Sequence, residues 1–231
     1  MFIRNMNLWA ALSFVAILFG ESQVYAGEPE ESRRWYTGIF GGYLSGELNS
    51  NDPSHKASTG DYNDDSPMAG ILVGYQKPFD NNWVGGLELI IPLYIEKGTA
   101  VDKLYFPDLV TYEASYRYAL FFSAKWGLSI GKVLPYVFGS VGFANVNGKT
   151  YNVDLEENYS PGYEQSAAAT HFVWQIGSGI EYNISDAIFL AAKAGAFIAA
   201  RADHTMPWNE PGPNLFGYNG LLVQANVGYR F

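Results

Sequence analysis

The sequence contains no cysteine. Disulfides, thiol nucleophiles, Cys-ligated zinc and the lipidated cysteine of a bacterial lipoprotein are therefore excluded together. Basic residues are scarce too: 14 Lys and Arg against 23 Asp and Glu give a formal net charge of -9. With no basic tract to neutralise phosphates, nucleic acid is not an expected partner. Beyond the N-terminus, no stretch approaches the ~20 consecutive apolar residues of a transmembrane helix. What the chain has instead is 17 Tyr, 15 Phe and 25 Gly in 231 residues, at a mean hydropathy of -0.06. So much aromatic surface and glycine without long apolar runs is unusual for a soluble core.

The N-terminus reads as a secretory signal peptide over residues 1–26. Arg4 supplies the positive region and LWAALSFVAILF the apolar one. Val24 and Ala26 occupy the −3 and −1 positions of a cleavage site, and the apolar run is too short to span a bilayer stably. A short periplasmic segment, 27–34, then leads to a barrel domain, 35–231. An exported chain without a helical span crosses a membrane, if at all, with strands.

Period-two segments follow in series. In MAGILVGYQKPF, Ile71, Val73 and Tyr75 share one face, with Gly70, Leu72, Gly74 and Gln76 on the other. In TYEASYRYALFFSAKW, the even positions from Tyr112 to Trp126 are apolar, and the odd ones include Glu113, Arg117 and Lys125. That alternation, over sixteen residues, is far longer than a usual soluble strand. THFVWQIGSGIEYN sets Phe172, Trp174 and Ile176 against His171, Gln175 and Glu181, and AIFLAAKAGAFI sets Lys193 against Ile188 and Leu190. The last strand, LLVQANVGYRF, alternates Leu221, Val223, Ala225, Val227, Tyr229 and Phe231 with Gln224, Asn226, Gly228 and Arg230. In WYTGIFGGYLSG and VLPYVFGSVGFANV the two faces are not separable.

Eight such strands are joined by two classes of connection. Segments near 46–67, 95–110, 146–167 and 199–218 are long and polar; those at DNN, GLSIG and NISD are tight turns. An even number of strands, with long loops at one end and short turns at the other, predicts an all-β, eight-stranded antiparallel transmembrane β-barrel. It has four extracellular loops and three periplasmic turns. Closure is required because an unpaired backbone group in hydrocarbon costs several kcal/mol. A soluble sandwich or lipocalin-like barrel would instead bury the apolar face. Arg117 and Lys125 set among Tyr and Trp, and a strand that runs to Phe231, favour the membrane barrel.

The segments DNNWVGGLE, LPYVFGSVGFA, GSGIEYNISDAIFLAAKAG and VGYRF resemble the small outer-membrane β-barrel proteins of Gram-negative bacteria. These include the opacity proteins, the membrane domain of outer-membrane protein A and alphaproteobacterial porin-like proteins. The resemblance runs from Trp35 to Phe231. It implies outer-membrane lipid and lipopolysaccharide as surroundings, and it makes Tyr229 and Phe231 the recognition signal for the barrel assembly machinery.

For the lumen, the alternation points Glu88, Glu113, Arg117, Lys125, Gln175, Glu181, Lys193, Gln224, Asn226 and Arg230 inward. An eight-stranded lumen is just wide enough for side chains to fill. Those charges are expected to pair into a plug, because an unpaired buried charge is expensive. The expected role of a monomeric barrel is structural, with adhesin-like contact to a host surface ligand through the acidic, Tyr-bearing loops. A narrow porin-like channel is the alternative, and a lipid A-modifying enzyme the more distant one. No catalytic, cofactor or metal residues are assigned. His171 is too far from Glu181 along its strand for pairing, the position two beyond it is Val173 rather than Ser, and His55 and His204 fall in expected loops without a clear partner. The DYNDD run, 61–65, lacks the Gly and distal Glu of a calcium loop and reads as a solvated segment.

Overall fold

Nine strands wind into one antiparallel sheet that closes on itself. The computed structural model describes residues 35–52, 57–95, 98–102, 109–153, 165–204 and 214–231. The strands are β1 (Trp35–Asp52), β2 (Ala57–Pro78), β3 (Trp83–Ile95), β4 (Gly98–Asp102), β5 (Leu109–Leu128), β6 (Val133–Val153), β7 (Gln165–Asn183), β8 (Ile188–His204) and β9 (Asn214–Arg230). β3 pairs with β5 near its turn end, and β4 pairs with the part of β5 nearer the loops. Together β3 and β4 make one stave, so the barrel has eight, as the alternation predicts. The closing seam is β1 against β9, from Tyr36↔Arg230 to Asn51↔Leu215. The Phe231 amide donates to the Trp35 carbonyl at 3.0 Å, so the first and last strands complete each other's ladders.

The three turns fall where the sequence places them. Asn81 and Asn82 adopt left-handed backbone (φ 61° and 65°) in the turn Asp80–Asn82. Asn tolerates that region because its short side chain bonds locally. Gly131 (φ 62°) serves the second turn. In the third, Ser185 Oγ accepts from the Ile188 amide at 3.1 Å.

The other end differs from expectation. Segments read as long loops are largely strand: β1 and β2 pair out to Asp52↔Ala57, and β4 lies within the expected second loop. About 9–11 residues suffice to cross the hydrocarbon, while β2, β5 and β6 have 22, 20 and 21. The surplus projects into water, where a ladder forms with polar side chains, and that polarity reads as loop. The DYNDD run sits inside β2, although its side chains lie outside the described residues.

The outer face carries the apolar set. Ile39, Leu87, Phe122, Val137, Ile176, Val223 and Val227 all point outward and are about half exposed or more, up to 65% for Leu87. Aromatic residues flank this band on both sides. Near the turns lie Trp35, Trp83, Trp126, Tyr182 and Tyr229; nearer the loops lie Tyr43, Tyr94, Tyr118, Phe143 and Phe172. The lower set is in ring contact, with Trp83 stacked on Trp126 at 5.8 Å and Trp35 beside Tyr75 at 5.1 Å. Along tilted strands the girdles are separated by roughly 20–28 Å, the height of the apolar band on a membrane barrel.

Candidate functional site

The interior has two layers. At the turn end it is charged. Glu181, fully buried, sits at the centre: its Oε2 accepts from Gln76 Nε2 at 2.9 Å and from Lys125 Nζ at 3.2 Å, and its Oε1 accepts from Arg230. Lys125 Nζ also meets Glu88 Oε1 at 3.0 Å, and Tyr36 Oη donates to that same oxygen at 2.7 Å. Side chains from several staves thus converge on two carboxylates. Aromatic rings complete the layer: Lys125 lies over Tyr36 and Tyr136 at 4.8 and 5.4 Å, and Arg230 over Phe189 at 4.5 Å. Cations held against ring faces gain electrostatic attraction without a counter-ion. Lys193 relies on such a ring together with through-space attraction to Glu88. Its Nζ has no hydrogen-bond partner among the described residues and rests 4.8 Å over Phe138.

Above this layer the lumen is apolar. Phe40, Leu44, Met68, Leu72, Ile90, Phe121, Val173, Phe197, Tyr218 and Leu222 are all buried in one cluster. Phe121, Phe197 and Tyr218 meet edge to face, at 6.2 and 5.8 Å. This layer has no separate signature in the sequence, because strands that supply it, β1 among them, carry apolar residues on both faces.

Of the residues expected inside, Glu88, Lys125, Gln175, Glu181, Lys193, Gln224, Asn226 and Arg230 are buried. Gln224 Nε2 donates to Asn226 Oδ1 at 2.6 Å, beside the charged layer and not within its ion pairs. Two expectations are corrected. A bulge between Tyr116 and Tyr118 shifts the register of β5 against β6. One extra residue reverses the facing of everything beyond it. Ala114, not Glu113, therefore points inward on that side, and Glu113 stands beside Lys149 of β6. Arg117, at the bulge, is exposed and donates to Asn147 Oδ1 at 3.4 Å. Tyr229 is exposed at the lower girdle and Phe231 is half-buried beyond the end of β9.

The family model for the outer membrane protein beta-barrel domain matches residues 12–231. The chain belongs to that family. Membership places this barrel in the bacterial outer membrane, in keeping with its girdled apolar band. Three solved structures are similar to it. Neisserial surface protein A is 13% identical, covering 84% of this chain and 96% of its own, with a TM-score of 0.43. OprG from Pseudomonas aeruginosa is 11% identical, covering 88% and 99%, with a TM-score of 0.45. Ail, the attachment invasion locus protein of Yersinia pestis, is 14% identical, covering 86% and 99%, with a TM-score of 0.36. No curated protein matches the chain.

At the loop end of this outer-membrane barrel, the structure joins one residue of an expected strand to one of an expected loop. His204 closes β8, where a register shift between Ala199 and Ala202 turns it inward. It meets His171 of β7, Nε2 to Nε2 at 3.0 Å. The signal was hidden because a bulge changes phase without any mark in composition.

Proposed function

We propose that the protein is a sealed structural barrel of the outer membrane, whose interior bonds the wall together and does not conduct. The observation that supports this is the pair of stacked layers. The ion pairs around Glu181 tie several staves to one another, and the apolar layer of Phe121, Phe197 and Tyr218 lies in the bore above them. A polar network in which both carboxylates are paired rigidifies a fold, and an apolar layer offers an ion no hydration. Recording in planar lipid bilayers tests it. Purified barrel is expected to give no stable open steps, and stable unitary conductance would refute the sealed lumen.

The role extends outward as surface contact. β1, β2, β5 and β6 continue past the girdles, so the paired ends of β1 and β2, out to Asp52↔Ala57, stand clear of the membrane on a stiff base. Tyr-rich surfaces supply anchors for protein partners. Deleting 53–56 or 154–164 is expected to abolish binding of whole cells to extracellular matrix while leaving the barrel assembled; unchanged binding refutes the adhesin-like reading. Lipopolysaccharide around the girdles and the assembly machinery at Tyr229 and Phe231 complete the proposed partners. In this reading the protein has no catalytic role. Lipid A whose mass spectrum changes when the protein is expressed would contradict that.

A further inference from the structure

The histidine pair at the rim has a geometry that fixes its protons. His171 Nδ1 lies 2.9 Å from the Ala200 carbonyl oxygen, and His204 Nδ1 lies 2.9 Å from the Ala167 carbonyl oxygen. A carbonyl only accepts, so both Nδ1 atoms carry hydrogen and donate. In the neutral rings, both Nε2 atoms then present lone pairs, and they face each other at 3.0 Å. Two acceptors do not hold that distance by themselves; something positive belongs between them.

We propose that His171 and His204 form a binding site for a borderline divalent transition-metal ion of the copper, nickel or zinc class. The rings are set for it. A tetrahedral ion bound through imidazole nitrogens at ~2.05 Å holds two of them about 3.3 Å apart, close to the separation seen. A metal-ligating histidine almost always donates its second nitrogen to a carbonyl, carboxylate or water, which fixes tautomer and orientation. Here both do so reciprocally, each to the strand that bears the other ring.

The wall explains how the two rings meet. The β7–β8 ladder ends at Val173↔Ala199. The bulge in β8 follows, and the carbonyls of Ala167 and Ala200 take imidazole donors. Gly148 of β6 leaves the room: a Cβ there would stand 3.2 Å from His204 Nδ1. Imidazole selects ions of this class over magnesium and calcium, which prefer oxygen. Beyond these two nitrogens, the remaining positions are filled by water or by another donor, from the chain or incoming. The ion would staple β7 to β8 where their ladder stops.

Copper(II) alone is a sufficient probe, added to the untagged, chelator-washed barrel in detergent. Electron paramagnetic resonance is expected to show one tightly held Cu2+ per chain, with nitrogen splitting from two imidazoles. His171→Gln and His204→Gln are each expected to lose the two-nitrogen spectrum, with unboiled mobility on SDS gels verifying that each variant is folded. A large excess of Mg2+ or Ca2+ is expected to leave the signal unchanged. The native barrel alone can decide against the proposal. Absence of a stoichiometric two-nitrogen spectrum would mean a pair held by a shared proton only, and would overturn it, as would a spectrum that survives loss of either ring in a folded variant.

Discussion

Replacing Glu181 with Gln keeps the volume of the side chain and removes its charge. The buried layer holds Glu88 and Glu181 against Lys125, Lys193 and Arg230, an excess of one positive charge. The substitution doubles that excess and leaves Arg230 without its carboxylate partner. Lys125 keeps only Glu88, at 3.0 Å. Breaking a buried pair by neutralising one partner costs about 3–5 kcal/mol, because the other charge stays buried. Lys193→Met is the matched control. It removes a cation with no hydrogen-bond partner among the described residues, cancels the excess and keeps an apolar chain over Phe138. It is expected to be neutral within about 1 kcal/mol, or stabilising, as in other buried charges replaced by apolar groups. Urea unfolding in lipid vesicles, followed by tryptophan fluorescence, measures both. Equal midpoints for the two variants would refute the view that Glu181 is the keystone and Lys193 a surplus charge.

Other outcomes follow from the same geometry. Gly74→Ala places a methyl group against the Tyr36 ring, while a methyl group at Gly139 would meet nothing within 4 Å; the first is expected to cost about 1–3 kcal/mol by overpacking and the second almost nothing, read in the same urea assay. Ile176→Arg sets a charge midway between the girdles and is expected to cost about 2–4 kcal/mol. Arg117→Ala, at an exposed bulge, is expected to stay within about 0.5 kcal/mol. Mass spectrometry of the protein extracted from membranes is expected to give a chain that begins at Gly27; an intact N-terminus would contradict the signal peptide.

The barrel was legible where the two faces differ chemically. Along β7, β8 and β9, Trp174, Ile176, Leu190, Val223 and Val227 alternate with Gln175, Glu181, Lys193, Gln224 and Asn226, and one face must meet lipid. β1 was opaque because Trp35 and Tyr36 are both aromatic, although one is half exposed and the other fully buried as a donor to Glu88. β6 was opaque for the same reason: Tyr136 and Phe138 face in, Val137 and Val141 face out. Bulges were invisible. A single added residue in β5 moved Glu113 and Arg117 off the lumen, and another irregularity in β8 moved His204 into it. Pairing partners such as Gln76 for Glu181, 105 residues apart, depend on closure of the whole barrel, which no local pattern encodes.

Because the chain has no cysteine, single cysteines introduced along β9 report its surroundings without background. Spin labels at 221, 223, 225 and 227, in barrels reconstituted into lipid vesicles, are expected to collide with oxygen dissolved in the hydrocarbon. Labels at 222, 224 and 226, where Leu222, Gln224 and Asn226 are buried, are expected to be shielded from it. That two-residue rhythm is what a lipid-facing wall around a sealed interior produces. A flat profile, or one of opposite phase, would contradict it.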